Sequence, residues 1–264
     1  MASNRRDKTG TDRANPKSGP PKAAGRAFST VRPESLIVAA SIAGVLLAIL
    51  IALGPLTPVL LAAPAVPFYY RAMKAGARVA AFKLAVRWSL TVFVTVALVA
   101  GFVSGRTERA VPLAARTQTA IQNWIGTADA SPPADYLQLI GSLVIFAAVA
   151  LLTGGAGGFV VGALGLASSA CGAAYLFQRG DNLFHVLIIA VPPWLVCLFA
   201  ACLFLLVPIS SPFFSRLFGR PERTDGLDLR RYVYLGVGLL LGSLLLRLAV
   251  AGIWEGLTQR WTVP

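Results

Sequence analysis

Leu36–Leu53 reads LIVAASIAGVLLAILIAL, eighteen residues without a single charge. A bilayer's hydrocarbon core is about 30 Å thick, and a helix rising 1.5 Å per residue crosses it in about 20 residues. Downstream the apolar stretch continues to Tyr70, but Pro55, Pro58, Pro64 and Pro67 interrupt it, with Gly54 just before them. Each proline removes a backbone donor and clashes with the preceding turn, so one straight helix is excluded.

Both flanks of this stretch are basic. Residues 1–32 carry Arg5, Arg6, Lys8, Arg13, Lys17, Lys22, Arg26 and Arg32 against only Asp7 and Asp12. On the other side, Arg71, Lys74, Arg78, Lys83 and Arg87 have no acid among them. Basic flanks stay on the cytoplasmic side of a membrane. The stretch is therefore expected to enter the bilayer and return, either as two short spans (36–53 and 56–70) or as a re-entrant hairpin. The first run starts only at Leu36 and is long, which predicts a retained anchor rather than a cleaved signal.

Composition agrees. Of 264 residues 56% are hydrophobic and 13% charged, with a mean hydropathy of +0.70. A soluble domain averages about 25% charged residues. Alternating strands of about ten residues, the mark of a membrane barrel, are absent. The expected fold class is all-α: a polytopic transmembrane helical bundle of about seven membrane segments. The formal charge of +13 follows from the positive-inside rule, so nucleic acid is not an expected partner. Residues 1–34 lack the apolar content for a core and read as a disordered basic cytoplasmic tail. Anionic lipid headgroups are the expected partners of that tail and of residues 71–87, at about 1 kcal/mol per basic residue near the surface.

Further spans are expected at 88–104, 137–153, 158–177, 183–207 and 232–254, with Trp88 at the membrane interface and Pro192-Pro193 inside a span. The loop 105–136 has no net charge: three Arg balance Glu108, Asp129 and Asp135. It belongs outside, and Leu113, Thr117, Ile121, Trp124 and Ile125 lie at helical spacing within it. Residues 208–231 hold Arg216, Arg220, Arg223, Arg230 and Arg231 and return to the cytoplasm. The arrangement puts the N-terminus inside and the C-terminus outside a bacterial cell (inner) membrane.

The patterns that carry chemistry are few. Gly154, Gly158 and Gly162 recur every four residues, with Gly172 further on, and Gly238 and Gly242 repeat the spacing in the last span. Such glycines open a groove that another helix can enter, either within the bundle or from a partner protein. Arg247 lies inside the last span, where a cation is expensive unless it snorkels or serves a function. Glu255 is two turns further on, too far for an i,i+4 pair with it. His185 is the only histidine, with no ligand set around it for a metal. A Ser–His dyad with Ser168 or Ser169 lacks the expected GxS turn. Cys171, Cys197 and Cys202 form neither a disulfide framework nor a zinc site. No Walker loop, no dinucleotide fingerprint and no mid-span carboxylate occurs. Catalytic residues, metals and cofactors are therefore not expected, and the sequence predicts a non-enzymatic protein, with a transporter or permease subunit as the alternative.

From about Arg87 to Trp261 the order of features resembles the stage II sporulation protein M family. The matching pieces are Phe93–Phe102, the outer loop, the paired spans around Gly154–Gly172, and the Ala190-Val191-Pro192-Pro193-Trp194 segment. The end, Arg231-Tyr232-Val233-Tyr234 through Ala249–Glu255, carries the resemblance furthest. The basic tail and the Pro-rich hairpin are additions to that pattern. The resemblance implies a membrane scaffold, because the family in spore formers is the membrane component of a complex with peptidoglycan-cleaving partners.

Overall fold

The computed structural model describes residues 33–51, 54–112, 114–115, 119, 136–178, 191–219 and 228–262. All described secondary structure is helical: α1 (Pro33–Ile51), a 3₁₀ turn (Gly54–Leu56), α2 (Thr57–Ala62), α3 (Val66–Lys74), α4 (Arg78–Phe102), α5 (Ser104–Ala110), α6 (Tyr136–Leu152), α7 (Ala156–Gln178), α8 (Pro193–Phe218) and α9 (Leu229–Thr262). Four helices are long and apolar enough to cross a bilayer: α4, α7, α8 and the Leu229–Val250 part of α9. Ser35–Ile51 and Gly141–Leu152 are shorter apolar helices. The chain is thus an α-helical protein with the composition of a membrane protein. Of the roughly seven segments expected from hydropathy, four are long apolar helices among the described residues and the others are shorter.

Most departures from expectation trace to proline and to basic residues. Instead of one segment at 56–70 there are two short helices, because Ala63–Ala65 forms a turn around Pro64. Proline sits in the first turn of both α2 and α3, where its missing N–H costs nothing. Pro192-Pro193 likewise opens α8 rather than lying inside a span, and the helix then continues past 207 to Phe218 through Pro208 and Pro212. Each ring there removes one backbone hydrogen bond. In the same stretch the Ser210, Ser211 and Ser215 hydroxyls donate to the carbonyls of Leu206, Val207 and Pro212. The expected span 88–104 begins ten residues earlier, at Arg78, because Arg78, Lys83 and Arg87 continue α4 on its solvated side. Trp88 does not face lipid: it is 2% exposed and turned into the bundle.

The two legs of the Pro-rich stretch pair with each other. A methyl group at Gly44 of α1 would stand 3.1 Å from the Pro64 ring and 3.3 Å from the Leu60 carbonyl. The tip at Gly54 approaches Arg109 of α5, beyond the far end of α4, while Ile37 at the start of α1 shares a cavity with Arg71 and Val79. The chain goes out along α1 and comes back along α2 and α3. Basic segments gather at that returning end: Lys74 Nζ lies 4.8 Å above the Phe218 ring at the end of α8, and Phe82 near the start of α4 meets Tyr232 at the start of α9 edge-on at 5.1 Å.

Candidate functional site

At the basic end, α1, α3 and α4 border an open-sided cavity of about 760 Å³. Its cations are Arg71 on α3 and Lys83 and Arg87 on α4, all exposed. Ile37, Phe68 and Leu84 supply large apolar walls. The room itself exists because positions 72, 75, 77 and 80 are alanines. Among the described residues no carboxylate lines it. Phe68 and Arg71 share a face three residues apart on α3, and Lys83, Leu84 and Arg87 do so on α4. Each wall thus carries apolar and cationic groups side by side. The volume is that of a small-molecule site. Sequence reading finds both the cations and the Ala-rich composition of 71–87; what it cannot show is that Ile37 of α1 comes to the same cavity.

Behind this cavity the bundle is dry and aromatic. Tyr69 is fully buried and meets Phe159 edge-on at 5.0 Å, and Trp88 meets the same ring at 4.8 Å. Tyr69 OH lies 2.6 Å from Ser210 Oγ, and Trp88 Nε1 donates to the Leu61 carbonyl at 2.9 Å. Tyr70 OH donates to the Thr153 carbonyl, which ties α3 to the turn before α7. Among the described residues, the buried polar side chains are six hydroxyls (Ser41, Thr57, Ser89, Thr107, Ser210 and Ser243) and no charged group. Replacing Tyr69 by Phe leaves Ser210 with its own-helix carbonyls alone and should lower stability by about 1 kcal/mol, read as a lower melting temperature in detergent. An unchanged melting temperature would show that the Tyr69–Ser210 bond contributes nothing.

The glycines separate into two groups. Gly154 does not lie on a helical groove: with Gly155 it forms a turn at positive φ, 59° and 96°. Gly158 and Gly162 do lie on α7, and their own chain fills the space. A methyl at Gly158 would stand 2.7 Å from Leu206 of α8 and 3.1 Å from Ala150 of α6, and one at Gly162 would touch the Trp88 ring at 3.8 Å. Gly172 is buried on the same helix. Gly238 and Gly242 on α9 are different, with nothing among the described residues within 4 Å of a methyl at either. Leu241, Leu245 and Leu248 beside them are exposed. The close approach on α9 comes instead at Gly236, where a methyl would stand 2.6 Å from Leu205.

Arg247 is part-exposed on α9. Glu255 lies on the same helix, beyond the residues whose side chains are described. His185, the outer-loop positions Leu113, Thr117, Ile121, Trp124 and Ile125, and the tail 1–32 lie outside the described residues. Ser168 donates to the carbonyls of Leu164 and Pro112. Among the described residues no three His, Cys, Asp or Glu side chains come together. No family model, no curated protein and no solved structure matches the chain.

Proposed function

We propose that this protein is a non-enzymatic multi-pass membrane protein that organises or anchors a membrane or envelope protein complex, the role implied by its resemblance to the stage II sporulation protein M family. The observation that carries this reading is the open glycine face of α9. The side of α9 that packs on α8 uses Gly236 and Ser243, whose hydroxyl donates to the Trp194 carbonyl at 2.7 Å. Gly238 and Gly242 point the other way, about 200–240° around the helix, where a partner's transmembrane helix could approach closely. Among the described residues the core buries hydroxyls but no charges, which agrees with a scaffold better than with a polar solute path.

In this reading α1, the α2–α3 leg, α4, α6, α7, α8 and α9 are the seven membrane segments. Their basic ends face the cytoplasm of a bacterial inner membrane, which leaves the N-terminus inside and the C-terminus outside. The interruption at Pro64 in the hairpin favours the alternative, a transporter or permease subunit, because broken helices often line substrate sites.

The test is extraction with native lipids followed by mass spectrometry of the intact particle. The scaffold reading expects a stoichiometric membrane partner that Gly238→Leu with Gly242→Leu removes. Those changes fall on an exposed face, so the melting temperature should hold, within about 0.5 kcal/mol of stability. A particle of one chain alone, unchanged by the pair of substitutions, would favour transport instead.

A further inference from the structure

We propose that the cavity between α1, α3 and α4 is a stoichiometric binding site for one anionic glycerophospholipid, its phosphate held by Arg71 and Lys83 and its acyl chain laid on Ile37, Phe68 and Leu84. This goes beyond the scaffold reading and does not depend on it.

Three observations converge. The first is charge: among the described residues the cavity is lined by three cationic side chains and no carboxylate. Guanidinium matches phosphate oxygens two at a time, and an ammonium adds a point charge beside it. The second is the apolar lining, since about 760 Å³ walled largely by aliphatic and aromatic carbon is far more room than an inorganic anion fills. A free phosphate would leave Ile37, Phe68 and Leu84 facing water. A ligand that satisfies both halves has an anionic head and a hydrocarbon tail.

The third is depth. From Trp88 to Phe102 α4 carries no charged residue, whereas Arg78, Lys83 and Arg87 occupy the ten residues before it. The cations therefore stand where hydrocarbon gives way to headgroups, a zone some 5–8 Å thick on each side. Diffuse attraction of a basic surface to anionic lipid requires no cavity and does not saturate at one lipid; a recess with apolar walls beside its cations predicts a single saturable site.

The experiment uses the full chain, delipidated in detergent and titrated with phosphatidylglycerol or phosphatidylcholine of the same acyl chains, bound lipid being counted by native mass spectrometry. The expected result is one phosphatidylglycerol per chain, with phosphatidylcholine at least about tenfold weaker. Arg71→Gln with Lys83→Gln should weaken phosphatidylglycerol binding about thirtyfold, about fivefold for each cation, and leave phosphatidylcholine unaffected. Arg71→Lys with Lys83→Arg keeps the charge and should keep most of the binding. Millimolar inorganic phosphate should not displace the lipid.

Equal affinity for the two lipids would overturn the proposal, as would unchanged affinity in the double Gln variant. Several equivalent lipids per chain without a plateau would assign the surface to diffuse adhesion, and displacement by inorganic phosphate would assign the site to a free anion. Should the double variant fail to fold, the comparison of the two lipids on the native chain decides alone.

Discussion

Gly155→Val should remove most of the protein's stability, whereas Gly238→Val, the same change eighty-three residues later, should leave it nearly untouched. Gly155 has φ 96° and its N–H donates to the Ala150 carbonyl at 2.7 Å, which closes α6. A β-branched residue at such a φ costs about 1–3 kcal/mol in backbone strain. Its Cβ would also stand 2.7 Å from Cε1 of Tyr69. That ring cannot withdraw, because it is fully buried, packed edge-on against Phe159 and tied to Ser210. Overpacking of this kind adds about 1–3 kcal/mol. The sum is a large part of the 5–15 kcal/mol that holds a typical domain folded. Gly238 lies on an open helical face, where a side chain replaces the least favourable helix residue other than proline. Thermal unfolding of both variants in the same detergent checks the contrast. A wild-type melting temperature for Gly155→Val would mean that the turn between α6 and α7 is not built as described.

Trp88→Ala is expected to cost about 3 kcal/mol, the low end of the range for deleting a buried aromatic. The low end applies because lipid, unlike water, does not drive apolar side chains together, so the loss is mainly contact and the void left behind. Trp88 reaches across from α4 to the end of α2, where its indole N–H bonds the Leu61 carbonyl. That carbonyl is among the last four of a helix and has no partner inside it. Trp88→Phe separates the two contributions, since it keeps much of the ring contact with Phe159 but leaves the carbonyl unpaired, for about 1–2 kcal/mol. The order wild type, Trp88→Phe, Trp88→Ala in melting temperature is the expected result. Equal stability of Trp88→Phe and wild type would show that the cap on α2 carries no weight.

These two predictions rest on residues that hydropathy and motif spacing misplace. By hydropathy Trp88 stands at the start of a span and reads as an interface anchor. Packing turns its ring into the bundle instead of toward lipid, where it donates to the end of the short α2 that the prolines create. In the glycine series, four-residue spacing reads as a single groove from Gly154 to Gly162. Spacing cannot tell a helical position from a turn, and Gly154 and Gly155 are in a turn because only there does the chain reverse between α6 and α7. The same spacing at Gly238 and Gly242 sits on an open face, while Gly236, outside the pattern, receives Leu205.

What the sequence by itself determined is the solvent of this protein and the grouping of its charges. Eighteen uncharged residues at Leu36–Leu53, few charges elsewhere and basic runs between the apolar ones require helices, because hydrocarbon leaves a backbone no other partners than its own. Prolines at 55, 58, 64 and 67 required a broken return path. Tertiary structure alone decided which glycines face the protein's own helices, that Trp88 is interior, and that Ile37 meets Arg71 and Lys83 around a cavity. Those facts depend on which helix faces lie together across 30 or more residues of chain, and neither hydropathy nor the spacing within one helix carries that information.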